Sequence, residues 1–317
     1  MEGSKHAILT QGLTKRYAGD VLALAGVDLA VPANSIYALL GPNGAGKTTT
    51  LSILTTLAKP TAGTAEVAGF DVVRQPGEVR RRIGVTFQET VLDMDLTGRQ
   101  TLLYHGRLYG LSKAVCEKKS RDLLALVELE VAADRRVNTY SGGMKRRLEL
   151  ARGLMTEPEI LFLDEPTLGL DPQNRAGIWA YIRDLRAERG MTLLLTTHYM
   201  DEAEQLADRV GIIDNGRIIT EGTPQHLVEQ MGADVLRIHG QGDELMFLDA
   251  ARERPFVENA VRANGLIHIG VDSGNKRLVE VVQLAGDTGF VIEDISVAKP
   301  SLGDVFLQVT GRQFRDE

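Results

Sequence analysis

Between Ile36 and Leu51 the chain reads IYALLGPNGAGKTTTL, and this stretch restricts the possible folds more sharply than any other. Five apolar residues, Ile36 to Leu40, have the composition of a buried strand, and glycines follow where a backbone must turn sharply. A helical pattern begins at once. The intervening Gly41, Pro42, Asn43, Gly44, Ala45, Gly46, Lys47 and Thr48 satisfy G-x-x-x-x-G-K-[ST], and a strand before and a helix after are the context in which that spacing holds phosphate. Glycine lets successive amide N–H groups turn inward without Cβ clashes. The helix start adds unpaired donors and the positive end of its dipole. Polyphosphate thus meets a concave donor surface, with Lys47 placed to reach the β- and γ-phosphates and Thr48 to ligate magnesium.

At 317 residues the chain exceeds one typical domain and can bury a full core, so two domains are expected. Hydrophobic residues at 43% and charged residues at 25% exclude global disorder. No apolar run approaches the roughly 20 residues that cross a bilayer, and the amino terminus lacks a basic-then-apolar leader. A cytosolic chain is the expectation. A net charge of −7 argues against a dedicated nucleic-acid surface. Two short basic clusters, Arg80 to Arg82 and Lys145 to Arg147, read as solvated helix faces or interdomain contacts. The single cysteine, Cys116, excludes an internal disulfide and reads as incidental.

Other polar residues stand at the ends of apolar runs. Tyr17 follows Lys15 and Arg16 in a small sheet ahead of the phosphate loop, where it can pack or stack on a base. Gln88 ends the run Arg82 to Gln88, where the carboxyl end of a strand faces the ligand crevice of an α/β sheet. Residues 97–155 change to helical periodicity, a helical insertion, and near its end Ser141, Gly142 and Gly143 open a long helix. That start is either a second anion site or a plain cap. The run Ile160 to Leu163 ends in Asp164 and Glu165, and burying either carboxylate unpaired would be costly. Neighbouring strand side chains point to opposite faces, so one carboxylate can hold magnesium while the other reaches an attacking water. A further apolar run, Met191 to Thr196, ends just before His198. Val210 to Thr220 reads as a hairpin turning at Asn215-Gly216. The first domain ends near Met231, and the order βαββαβ after it is a ferredoxin-like pattern.

Together these residues resemble the nucleotide-binding subunit of an ABC transporter over about Ala7 to Met231. GPNGAGKT is similar to Walker A, Gln88 to the Q-loop, YSGGM (140–144) to the signature, ILFLDEP (160–166) to Walker B, LGLDP (168–172) to the D-loop, and His198 to the switch histidine. The signature departs from the commoner LSGGQ at Tyr140 and Met144, with Ser141, Gly142 and Gly143 intact. The tail, Lys299 to Gly311, resembles the PSL-x-DVF-L-x-x-TG ending of daunorubicin-resistance-type (DrrA-like) ATPases, which energise ABC-2 exporters.

The resemblance implies an α/β P-loop NTPase cassette over 1–231, with a RecA-like core, an antiparallel β subdomain and a helical subdomain at 97–155. A smaller C-terminal α+β ferredoxin-like domain would cover 232–317. It further implies ATP and Mg2+ as ligands. Tyr17 would stack on adenine, and residues 41–48 with Thr49 would bind phosphate. Thr48, Gln88 and Asp164 would hold the metal; Glu165, His198, Gln88 and Lys47 would serve hydrolysis. The implied assembly is a homodimer closed by ATP between one chain's phosphate loop and the other's Ser141 to Gly143. It would sit at the cytoplasmic face of the membrane on an ABC-2 permease and export a drug or lipid. A soluble ABC-type ATPase acting on ribosomes or nucleic acid is the alternative, disfavoured by a single cassette, the acidity and the lack of sustained heptads. A non-catalytic regulatory subunit is disfavoured because every catalytic position is filled.

Overall fold

The computed structural model describes residues 6–89, 91–263 and 265–310; Gly311 at the end of the tail motif lies outside them. The chain begins with β1 (His6–Arg16), β2 (Leu22–Pro32), β3 (Ile36–Leu40), α1 (Lys47–Leu54), β4 (Ala62–Val67), β5 (Phe70–Asp71), α2 (Pro76–Arg82) and β6 (Ile83–Thr86). The helical insertion follows as α3 (Gly98–Leu108), α4 (Lys113–Leu126) and α5 (Gly142–Gly153), all within 97–155. Next come β7 (Ile160–Asp164), α6 (Pro172–Arg189), β8 (Thr192–Thr197), α7 (Met200–Leu206), β9 (Arg209–Asp214), β10 (Arg217–Gly222) and α8 (Pro224–Glu229). The remainder is β11 (Asp234–Gln241), α9 (Glu244–Arg252), β12 (Val257–Ala263), β13 (Leu266–Val271), α10 (Gly274–Asp287), β14 (Val291–Ala298) and α11 (Leu302–Thr310).

A six-stranded sheet in the order β10-β9-β3-β8-β7-β6 forms the centre. Its β9, β3, β8, β7 and β6 run parallel, and β10 closes one edge as an antiparallel hairpin partner of β9. Every residue of β3, β7 and β8 is buried, as continuous apolar runs in a sheet covered on both faces require. The four adjacent strands β3, β8, β7 and β6 all direct their carboxyl ends to one edge. In register, Leu40 lies beside Thr197, Asp164 beside Thr196, and Thr86 beside Leu163. The phosphate loop, His198, the two carboxylates and Gln88 therefore leave the sheet side by side, although they are spread over about half the sequence.

A second, antiparallel sheet of order β2-β1-β4-β5 covers the phosphate-loop side. Helices of the insertion cap their first turns with side chains. Thr97 forms a capping box with Gln100, and Ser112 accepts from Val115 N. Cys116 is buried there, where a Cβ added to Gly106 would come within 2.8 Å of its Sγ. The Asn215-Gly216 turn has φ of 47° and 71° at its two central residues, the left-handed pair a tight hairpin needs.

The last four strands form an antiparallel sheet of order β12-β13-β11-β14, with α9 and α10 between them in sequence. The expected βαββαβ order is thus present as a sheet with its own apolar cluster, including Leu236, Phe247, Ile269 and Phe290. The tail helix does not join that cluster. Leu302, Val305 and Phe306 of α11 pack with Leu206, Leu227 and Met231, and Leu302 N donates to Glu204 Oε1 of α7 at 2.6 Å.

Candidate nucleotide site

The loop between β3 and α1 is shaped by its glycines. Gly44 and Gly46 have φ of 79° and 109°, backbone that side chains with a Cβ rarely adopt. A Cβ at Gly41 would lie 2.3 Å from Ile213 O, and one at Gly46 would lie 2.7 Å from Leu24 Cδ2 and 2.8 Å from Ala23 O. The loop is therefore wedged between β9 and the antiparallel sheet. Gly46 caps α1 without a side chain, which leaves the first helical N–H donors free for an anion.

Lys47 folds back over this loop. Its Nζ donates to Gly41 O at 2.6 Å and Pro42 O at 3.2 Å, and stands 3.2 Å from Glu165 Oε1. Burial lowers the ammonium below its ordinary pKa, and the charges of Glu165 and Asp164 oppose that only in part. Thr48 Oγ1 donates to Asp164 Oδ1 at 3.4 Å, and Thr196 Oγ1 donates to the same oxygen at 2.5 Å. Burial pushes the Asp164 carboxyl up against these hydrogen bonds.

Glu165 takes the other direction. Burial would raise its pKa, but the His198 ring and the Lys47 ammonium outweigh it and hold the carboxyl below its ordinary value. His198 Nδ1 is 2.5 Å from Glu165 Oε2. The two carboxylates do not part to opposite faces as the strand pleat predicts: Asp164 meets Thr48 and Glu165 meets the adjacent Lys47. Glu165 has φ 48°, a left-handed turn unusual for a residue with a Cβ, and it swings its side chain toward the phosphate loop while Asp164 ends the strand. Residues held in such conformations cluster at functional sites.

The other expected residues stand outside this set of contacts. Gln88 is exposed just past β6. Tyr17 is also exposed, with the Lys15 ammonium 5.0 Å from its ring centroid; it ends the hairpin whose other strand carries Ala23 and Leu24 against Gly46. Ser141 and Gly142 are exposed at the start of α5, where Ser141 Oγ accepts from Met144 N at 3.3 Å. Gly143 is buried against Asn174, whose Oδ1 would lie 2.5 Å from an added Cβ. Among the described residues, no hydrogen bond links Ser141 to the phosphate loop of the same chain.

Three groups escaped the sequence reading. Thr196 positions both carboxylates: its side chain binds Asp164, and its O and Oγ1 each accept from Glu165 N at 3.1 Å. Two threonines closing a strand with an apolar centre, Leu193 to Leu195, were the available signal. Glu202 is fully buried and accepts from Thr167 Oγ1 at 2.7 Å and Trp179 Nε1 at 3.0 Å, joining the segment after Glu165 to the helix after His198. Arg146 corrects an expectation outright. It is 7% exposed rather than part of a solvated face, because it lies on the same side of α5 as buried Gly143, Leu150 and Gly153. Its neighbour Arg147 pairs at the surface with Glu128.

A family model described as "ABC transporter" matches residues 24–168. A daunorubicin resistance ATP-binding protein, DrrA2 of Streptomyces coeruleorubidus, is 43% identical over 97% of this chain and 96% of its own length. This chain belongs to the ABC transporter ATP-binding family, of the daunorubicin-resistance type. A Nod factor export ATP-binding protein I of Burkholderia lata is 42% identical over 96% of this chain and 97% of its own. Among solved structures, an ATP-binding cassette in a dimeric, post-hydrolysis state with ADP and Pi superposes with a TM-score of 0.63 at 27% identity. It covers 68% of this chain and 98% of that one. Members of this family are ATP-binding subunits that work with a membrane permease, and no helix among the described residues is long and apolar enough to cross a membrane.

Proposed function

We propose that this chain binds and hydrolyses ATP, powering export of a drug or lipid-like molecule through a separate ABC-2-type permease. One observation carries the reading: Glu165 stands buried between Lys47 and His198, at the carboxyl ends of adjacent strands and beside a glycine-built anion loop. In this reading residues 41–46, Lys47, Thr48 and Thr49 bind the phosphates and Tyr17 stacks on the base. An incoming phosphate competes with Glu165 for the Lys47 ammonium, which frees the carboxylate for water. The water oxygen attacks the γ-phosphorus, its proton passes to Glu165, and the Pγ–O bond breaks with its electron pair leaving on ADP. His198 orients Glu165 and reaches the γ-phosphate.

Magnesium fits the donor set. Thr48 and Asp164, whose oxygens are 3.4 Å apart, would offer oxygen ligands and Gln88 would add an amide oxygen, with phosphate and water completing magnesium's shell. Bound there, it would neutralise phosphate charge. Ser141 and Gly142 face solvent at the start of α5, which supports a homodimer in which Ser141 to Gly143 close the partner's site. Residues 1–231 then form the nucleotide-binding domain and 232–317 the accessory domain, with α11 returning to the first. The assembly would sit at the cytoplasmic face of the membrane. The direct test is phosphate release by purified chain with ATP and magnesium, run alongside capture from membranes. Absence of turnover even with the permease present would overturn hydrolysis, and recovery with ribosomes instead of a polytopic membrane protein would overturn transport.

A further inference from the structure

We infer that Arg146 is a positioning residue for hydrolysis, one guanidinium that holds the Glu165 turn and the start of the Gln88 loop as a single unit. The inference rests on the ATPase reading above and concerns how that site is kept in geometry. Arg146 Nη2 donates to Asp164 O at 2.8 Å and Glu165 O at 3.0 Å, and Nε donates to Pro166 O at 2.7 Å. Nη1 donates to Phe87 O at 2.5 Å and to Glu149 Oε2 at 3.2 Å.

Three consecutive carbonyls converge on this one group because the backbone reverses at Glu165 with φ 48°. Carbonyl dipoles turned toward a common point repel, and a buried cation with a rigid fork of donors offsets that repulsion. Glu165 is thereby fixed from both sides. Its N–H is tied to Thr196 and its carbonyl to Arg146, so the side chain has little choice but to face Lys47 and His198.

The same helix grips the Gln88 loop at two further points. Glu149 Oε1 accepts from Val91 N at 2.8 Å, and Arg152 donates to Val91 O. Helix α5 begins at Ser141, so the element that would meet a partner's nucleotide also carries the ties to Phe87, Val91 and Glu165. A shift of α5 moves the hydrolytic turn and the Gln88 loop together. A lysine at 146 would keep the charge but not the fork, since a compact ammonium cannot span three carbonyls and Phe87 O.

The test compares full-length Arg146→Lys and Arg146→Met with the unaltered chain, measuring kcat, KM and affinity for a fluorescent ATP analogue. Displacing a reacting group by about 1 Å costs roughly 10²-fold in rate, so kcat is expected to fall by that order while nucleotide affinity changes by less than about threefold. In a Glu165→Gln background, Arg146→Lys should produce no further loss, because both changes act on one group. The inference is overturned if a folded Arg146→Lys chain turns over within about twofold of the unaltered one, if the loss lies in affinity, or if the double variant shows the full product of both losses. Should Arg146→Met fail to fold, Arg146→Lys decides alone, and its own failure to reach a native thermal transition would assign Arg146 a purely structural role. Controls separate this from the broader reading. An unaltered chain without turnover, or an undiminished Lys47→Ala chain, would sink the ATPase assignment instead.

Discussion

Glu165 lies between Lys47 and His198, and Asp304 lies between Arg237 and His268. Both carboxylates are almost fully covered, at 5% and 3% exposure. Lys47 and His198 approach Glu165 to 3.2 and 2.5 Å; Arg237 and His268 approach Asp304 to 3.3 and 3.4 Å. The side-chain sets are nearly the same, but the backbones that carry them differ. Glu165 sits on a left-handed turn at a strand end, beside a loop whose donors suit phosphate. Asp304 lies in the first turn of α11, where Ser301 N and Oγ also donate to it at 3.0 and 2.7 Å. The helix N-terminus favours its negative charge.

Burial would raise the Asp304 carboxyl, but His268, Ser301 and Arg237 outweigh it and hold it at about 2. Its Arg237 and His268 partners come from the last sheet, while its helix packs with Leu206 of α7, Leu227 of α8 and Met231. Asp304 is therefore a clasp between two parts of the molecule. In the proposed function Glu165 is instead a group that exchanges its Lys47 partner for a ligand's phosphate. The lesson is that a cation, a carboxylate and a histidine do not by themselves make a reaction centre; an accessible anion loop and a strained backbone distinguish one from the other.

The largest expected effect breaks the comparison at the catalytic side. Glu165→Gln should lower phosphate release by roughly 10²- to 10⁴-fold, the range of a positioned acid–base group, while ATP binding persists and size-exclusion chromatography shows a trapped dimer. Normal turnover in this variant would put Glu165 in the same class as Asp304. Next comes the clasp itself. Asp304→Ala removes the acceptor of Arg237 and of Ser301 N and Oγ and should cost up to about 3 kcal/mol, the upper end for hydrogen bonds to a charged group, read as faster hydrogen exchange across β11 and β13 with ATP affinity little changed.

The same group has a pH signature. Its folded pKa lies below the unfolded carboxylate value, so its stabilisation is complete above about pH 4 and is lost as pH falls toward about 2. Exchange in the last sheet should rise through that window, and Asp304→Asn should flatten the rise. A steep rise surviving in Asp304→Asn would assign the acid sensitivity elsewhere.

Lys47→Ala is the third in size. Loss of charge-assisted hydrogen bonds worth about 1.5–3 kcal/mol should weaken ATP binding by roughly ten- to a hundredfold, and titration calorimetry showing native affinity would contradict the phosphate-loop assignment. The smallest effect tests the rim. Tyr17→Ala should weaken ATP binding by a few-fold, consistent with an aromatic stacking contribution of about 0.5–1.5 kcal/mol, whereas Tyr17→Phe should be neutral. Equal losses in both would point to the hydroxyl and remove stacking as the reason.

Much of the site was legible along the chain because its parts announce themselves locally. The glycines around Lys47 and the carboxylates ending β7 are unusual within a few residues of context. The Asn215-Gly216 turn and the βαββαβ order were readable for the same reason. Arg146 was not, because a basic triplet has the composition of a solvated face, and only the buried positions on either side of it show which arginine points inward. The clasp was hidden for a different reason. Asp304 is about 70 residues from Arg237 along the chain, and nothing near it in sequence supplies its cation.

The sequence by itself determined the local conformations: a loop that only glycine can turn, helices started by Thr97, Ser112 and Ser141, and strands too apolar to remain exposed. These follow from the steric limits and solvation of each short segment. Only the tertiary structure decided that β3, β8, β7 and β6 stand next to one another, which places Lys47, His198 and Glu165 within contact although they lie far apart in the chain. It also decided that α11, tied to the last sheet through Asp304, packs its apolar side against α7 and α8. Strand order and helix docking depend on which apolar faces cover one another, a property of the whole chain.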